Sequence, residues 1–279
     1  MAVELRPSIL HAGVEIQRRR AGRDETPETA RRYLARGNAF LSSLDYEGAL
    51  EIARTSGWAV FSSAERTATA FRDTLDAMIR SASPAWAMLI PIGRELVRRA
   101  VGEDGWQCFA IAGLDAEDDA AVEWWDRAAE VVRSQQRSRM LAFGREAERQ
   151  SLLFERERLV GTGLEPRWVS LEDNRLAYDI QSWAHPRDPS GLDGRTYIEV
   201  KGSVRGEEIH LSRAEWDVAD ARGPRWRLHI WIGDNLVPVV LSVDDVRVHI
   251  PSDQGGGSWE SVRVRIAALV PRNLHYPAP

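Results

Sequence analysis

Lysine is nearly absent from this chain: of 37 cationic residues, 36 are arginine and one, Lys201, is lysine. Arginine stays charged and presents a broad planar fork, whereas lysine is a compact donor with a tunable pKa. A position that keeps lysine in so arginine-rich a chain is therefore a candidate reacting centre. Cysteine is as scarce: Cys108 stands alone, which excludes a disulfide framework and a cysteine-based zinc site. No apolar run approaches the ~20 residues that span a bilayer, and the opening Met1-Ala2-Val3-Glu4-Leu5-Arg6-Pro7 lacks an apolar signal core. The expectation is a soluble cytoplasmic protein without a membrane partner. Net positive charge is also missing. At -5 the chain has no general basic coat, which leaves local patches such as Arg18-Arg19-Arg20 with Arg23, read as solvated surface, and Arg133, Arg137, Arg139, Arg145 and Arg149. No Gly-x-x-x-x-Gly-Lys loop, Gly-x-Ser-x-Gly elbow or His-Glu-x-x-His helix occurs, which argues against a P-loop ATPase, a serine hydrolase of the elbow type and a zincin.

What is present divides in two. Residues 1–25 read as an arginine-rich arm, poorly ordered or a short helix. Residues 26–135 read as an all-helical domain of unknown role. Thr26-Pro27-Glu28 supplies an N-cap, an N1 proline and a first-turn acid ahead of a stripe of Ala30, Tyr33, Gly37 and Phe40, and Asp45 starts a partner helix. One such pair without a second copy is not a repeat array. Ser62-x-x-Glu65 predicts a capping box before a helix with Ala68, Phe71, Leu75 and Met78 on its core stripe, and Asp115 predicts the start of another. Eleven tryptophans are many, and exposed ones would be platforms for bases.

From Met140 to Val160 the chain reads as helix, with Glu148 and Glu155 on nearly one face as solvated acids. Short strands follow over 167–171, 176–183 and 196–201, then a strand at 209–211, a helix opened by the capping box Ser212-x-x-Glu215, strong strands at 226–232 and 236–241, and weaker ones at 246–250 and 262–267. The fold class is α+β or α/β, with the second domain over 140–279.

In Thr196-Tyr197-Ile198-Glu199-Val200-Lys201-Gly202 the two-residue period sends Ile198 and Val200 to one face, and Glu199 and Lys201 to the other. Asp179 lies in the preceding strand. If the two strands pair as a hairpin, Asp179 and Glu199 make a hard oxygen site suited to Mg²⁺ or Mn²⁺, and Lys201 can position a water or stabilise charge building on a phosphorus. His185, Asp188 and Asp193 in the connecting loop read as turn formers rather than ligands, His210 as an ordinary strand histidine, and His229 as sharing with Arg227 and Trp231 one strand face, covered by a helix or exposed.

Asp179 with Glu199-Val200-Lys201, preceded by a glutamate-bearing helix, resembles the PD-(D/E)XK nuclease superfamily. More narrowly, Gly144-Arg145-Glu146-Ala147-Glu148, Trp168-Val169-Ser170, Tyr178-Asp179-Ile180, Tyr197 to Gly202 and Leu211-Ser212-x-x-Glu215-Trp216 are similar to the Mrr-like domain at the C-terminus of NO VEIN-type proteins, over about residues 140–235. The resemblance implies a restriction-endonuclease-like mixed sheet flanked by helices, with Asp179, Glu199 and Lys201 as catalytic residues. It adds Glu148 to Asp179 and Glu199 as a third metal ligand. It implies cleavage of nucleic acid, DNA first, in a prokaryotic restriction or antiphage setting, with a homodimer as one assembly and a protein partner for residues 26–135 as another. The competing reading is a catalytically silent nucleic-acid-binding or scaffold subunit.

Overall fold

A computed structural model describes residues 5–184, 194–253 and 257–269. It divides into two compact units, residues 1–138 and 139–279. His185, Asp188, Asp193, Gly255 and Gly256 lie outside the described residues. Among the described residues no helix is long and apolar enough to cross a membrane.

The first unit is helical: α1 (Pro7–Arg20), α2 (Pro27–Leu34), α3 (Ala39–Ser42), α4 (Tyr46–Ser56), α5 (Thr67–Ser81), α6 (Arg94–Ile111) and the first part of α7 (Asp119–Arg158). Of the two readings of the arm over 1–25, the helix holds, and α1 is part of the core. Pro7 starts α1, and Ile9, Leu10, Ala12, Val14 and Ile16 are buried, because the apolar residues of 9–16 form a closely spaced patch ahead of the arginines. Gly13 is required there, since a Cβ would sit 2.2 Å from the Phe61 ring. The terminal arginines are not simply solvated: Arg18 donates to the carbonyls of Ala64 and Glu65, and Arg19 pairs with Glu25.

Other details also differ from expectation. Thr26 caps α2, but the buried face carries Ala30 and Leu34, while Tyr33, Gly37 and Phe40 are exposed. Ser62 makes no capping box, because α5 begins at Thr67 and the Ser62 hydroxyl bonds Asp73. Phe71, Leu75 and Met78 are buried as the stripe predicts, but Ala68 is exposed and Ala70 takes the buried place in the first turn. Asp118 rather than Asp115 caps α7 through the Ala121 N–H. All eleven tryptophans are buried or half-buried, none exposed.

The polar stretch 133–139 lies within α7, consistent with its lack of any helix breaker. The second unit adds β1 (Arg167–Trp168), β2 (Ile180–Trp183), β3 (Arg195–Ser203), β4 (Glu208–Ser212), α8 (Arg213–Arg222), β5 (Trp226–Ile232), β6 (Val239–Ser242), α9 (Val243–Arg247), β7 (Ser261–Arg265) and α10 (Ile266–Leu269). The main sheet has the order β1-β2-β3-β5-β6, with β3 and β5 parallel and every other pair antiparallel, and β4 pairs with β7 separately. This is the expected mixed sheet with helices. The predicted strand at 246–250 is mostly helical or turn, because Ser242 and Asp245 form a capping box that turns the chain into α9.

One face of the sheet buries Leu228 and Ile230 with Trp216 and Ala219 of α8, and the other buries Ile180, Ile198 and Val200 with Ala147 and Leu152 of α7. Gly202 ends the strand motif where a Cβ would meet the Phe143 ring at 2.6 Å, so only glycine admits α7 this close.

Candidate active site

The hairpin predicted from Asp179 and Glu199 forms. Ile180 pairs with Ile198, and one residue earlier the Asp179 N–H donates to the Ile198 carbonyl at 2.9 Å. Asp179 stands just before β2 rather than inside it. Ala177, in the left-handed region at φ 53°, turns the chain into it. The Asp179 carboxylate is pinned in turn, its Oδ2 accepting from the Val200 N–H at 2.8 Å.

On β3 the two-residue period operates as read: Ile198 and Val200 enter the core against α7, and Glu199 and Lys201 face the side of α8. Lys201 Nζ lies 2.6 Å from Glu199 Oε1 and 2.9 Å from Glu215 Oε1. Glu215 was read only as the acid of a capping box. It holds that role, accepting from the Ser212 N–H at 2.7 Å, and spends its other oxygen on the lysine. Its spacing from Ser212 gives the cap, but the ion pair depends on β4 and α8 folding back over β3, which no local pattern encodes.

Glu148, from the part of α7 over the sheet edge, accepts hydrogen bonds from Trp168 Nε1 at 2.6 Å, from the Ser170 hydroxyl, and from Arg145 at 3.0 Å. These three donors use the motif residues Trp168, Ser170 and Arg145 to orient one carboxylate. Its charge reaches Asp179.

Burial controls the protonation of the group. It pushes the Asp179 carboxyl up to about 7, with Glu148 adding to the rise and the Val200 N–H and Lys201 opposing it. Burial likewise raises Glu199 well above the carboxylate range, against the pull of Lys201. Burial works against the Lys201 charge, but Glu199 and Glu215 outweigh it and raise its pKa. Glu215 is the reverse case: burial raises it, Lys201 and the Ser212 N–H prevail, and it stays below its ordinary value. Both carboxylates thus favour the ammonium, and Lys201 is a fixed charge and not a proton acceptor.

Four carboxylates, Glu148, Asp179, Glu199 and Glu215, are set against the cations Lys201 and Arg145. Such a set suits a hard divalent cation, whose charge would offset the penalty that burial places on these oxygens. Among the described residues, however, no group of three or more His, Cys, Asp or Glu side chains is arranged to hold a metal ion.

Most of the motif residues fall inside one stretch. Residues 147–242 match the family model described as Protein NO VEIN, C-terminal. This stretch contains Glu148, Asp179, Glu199, Lys201 and Glu215, and Arg145 lies two residues before it. No curated protein and no solved structure matches the chain.

Glu155 departs from the expected solvated acid. It is 3% exposed, beneath the opposite face of the sheet, bonded to Arg158 and to the Ser182 hydroxyl, with His229 Nε2 at 3.9 Å. Ser151 links His229 Nδ1 at 3.3 Å to Trp231 Nε1 at 2.6 Å. This network belongs to the α7–sheet contact. His210 is exposed on β4 between the buried Ile209 and Leu211, 3.5 Å from Glu208.

Proposed function

We propose that the second unit is a nuclease of the PD-(D/E)XK type, hydrolysing phosphodiester bonds of nucleic acid, DNA first. The observation that carries this reading is the convergence of Asp179, Glu199 and the chain's one lysine at a buried hairpin, with a motif-held Glu148 beside them. Asp179, Glu199 and Glu148 would hold Mg²⁺ or Mn²⁺. Such an ion supplies Lewis acidity at a phosphate oxygen and a more acidic water. Within the chain, Lys201 places a preorganised positive charge where negative charge develops as water attacks phosphorus and the P–O ester bond breaks. Glu215 keeps that ammonium charged and in place. Trp168, Ser170 and Arg145 fix the Glu148 carboxylate. A prokaryotic restriction or antiphage setting is part of the same proposal and rests on the family resemblance alone.

The test is cleavage of supercoiled plasmid, linear duplex, single-stranded DNA and RNA with Mg²⁺ or Mn²⁺, against an EDTA control and Lys201→Ala. Metal-dependent cutting by the wild type that the substitution abolishes is expected.

A second reading is a silent nucleic-acid-binding module. It is favoured by the engagement of Lys201 with two carboxylates and by the lack of a three-ligand arrangement among the described residues. Calorimetry separates the two. Mg²⁺ or Mn²⁺ binding that disappears in Asp179→Asn and Glu199→Gln supports the nuclease, and no binding to the wild type supports the silent module.

A further inference from the structure

Among the described residues the exposed aromatic side chains are Tyr33, 61% exposed, and Phe40, 51% exposed, and both lie in the short stretch that contains α2 and α3. Neither ring is loose. The Arg19 guanidinium, held by Glu25 at 2.9 Å, lies 3.5 Å from the Tyr33 ring centroid, and His11 packs on Phe40 at 5.3 Å with an interplanar angle of 84°. Tyr33 lines an open cleft of about 580 Å³ together with Thr29, Arg32, Arg36 and Gly37. Positions 29, 32, 33 and 36 follow helical spacing along one face of α2 and the turn after it.

The two arginines of this cleft are uncompensated. Arg31 next to them pairs with Glu47, and Arg18 and Arg19 also pair with carboxylates, whereas Arg20, Arg23 and Arg72 bond backbone carbonyls. Arg32 reaches only the Glu28 carbonyl, at 3.4 Å, and Arg36 has no side-chain partner among the described residues. Arg32 and Arg36, without carboxylate partners and beside an exposed ring, offer a local surface for an anion bearing a flat group.

We infer that the cleft binds an unpaired stretch of nucleic acid, with a base stacking on Tyr33 and phosphates on Arg32 and Arg36. Aromatic platforms beside cationic groups are the means by which single strands are held without sequence readout, since every base has a π-face. The choice of nucleic acid over other anions rests on the proposed function of the second unit.

The experiment measures anisotropy of a fluorescein-labelled oligothymidylate, and of a duplex of equal length, with the full chain in EDTA, where metal-dependent hydrolysis is blocked. Tyr33→Ala is expected to weaken single-strand binding about 10-fold or more, a typical loss for one stacked base. Tyr33→Phe keeps a ring and is expected to bind like wild type. The pair Arg32→Ala with Arg36→Ala is expected to weaken binding and to lower the salt slope by about 1.4, at ~0.7 per phosphate. Unchanged melting temperatures would confirm that these exposed substitutions leave the fold intact. No oligonucleotide binding by the wild type, or single-strand affinity unmoved by Tyr33→Ala and by the arginine pair, overturns the inference. The two proposals fail separately. Wild-type-like binding by Tyr33→Ala, with metal-dependent cleavage lost in Lys201→Ala, removes the cleft and keeps the nuclease. Binding lost in the cleft variants, with no cleavage under either metal, keeps the cleft and removes the nuclease.

Discussion

Lys201 is held charged by Glu199 and Glu215 at 2.6 and 2.9 Å, so its contribution is electrostatic and depends on the size of the head group as well as its charge. Arginine keeps the charge but brings a planar fork in place of a compact ammonium. Lys201→Met, which keeps length and loses charge, is expected to cut metal-dependent cleavage by about 10²–10³-fold, the usual loss of one preorganised donor. Lys201→Arg should be nearly as poor, and cleavage by it at wild-type rate would remove the argument for a compact ammonium. Glu215→Gln retains an oxygen for the Ser212 N–H and weakens only the grip on the lysine. It is expected to cost about tenfold in rate, as for a charged hydrogen bond of roughly 1.5 kcal/mol, with the helix cap preserved in thermal melts. His229 belongs to the same scale. Burial, opposed by Glu155, lowers it from 6.5 to about 4. Between those values the unfolded chain takes a proton that the folded chain refuses, so this contribution is full above the unfolded pKa and is lost as pH falls. At about 1.36 kcal/mol per pH unit the loss approaches roughly 3 kcal/mol by pH 4. Denaturant titrations across that window for wild type and His229→Phe check it: the difference in stability between them should shift in favour of the variant as pH falls, and a constant difference would refute it.

At the scale of elements, the β2–β3 hairpin was legible because a two-residue period and a loop rich in turn formers specify it locally. Asp179 and the Glu199/Lys201 pair followed from that register. Glu215's second role, the burial of Glu155 and the entry of α1 into a core did not, since each depends on which distant segment lands on the residue. Tyr33 and Phe40 show the same limit from the other side: their spacing with Ala30 and Gly37 fits a core stripe, but Ala30 and Leu34 supply the buried face of α2. The strand motif's final glycine is also explained only by packing, through the Phe143 ring. Gly202→Ala is therefore expected to destabilise the second unit by about 1–3 kcal/mol through overpacking against α7. Phe143→Ala in the same background removes the clash and should restore part of the loss. If Gly202→Ala melts like wild type, the close approach of α7 is not what fixes this position.

For the whole molecule, the two units have separate apolar cores. The first centres on residues such as Phe71, Phe109 and Leu75, and the second on Trp226, Leu228 and Ile230 on one face of the sheet, with Ile180 and Ile198 on the other. Truncating a fully buried phenylalanine typically costs about 3–5 kcal/mol, and the cost falls on the structure that encloses the cavity. Phe71→Ala should therefore speed amide exchange throughout α1, α4, α5 and α6 while leaving β3 and β5 as protected as in wild type. Trp226→Ala should do the reverse, opening the sheet that carries Glu199 and Lys201 and sparing the helical unit. Exchange mass spectrometry on both variants decides the matter. If either substitution raises exchange equally in both units, they unfold as one cooperative body, and a defect in the helical unit would reach the proposed active site through stability alone.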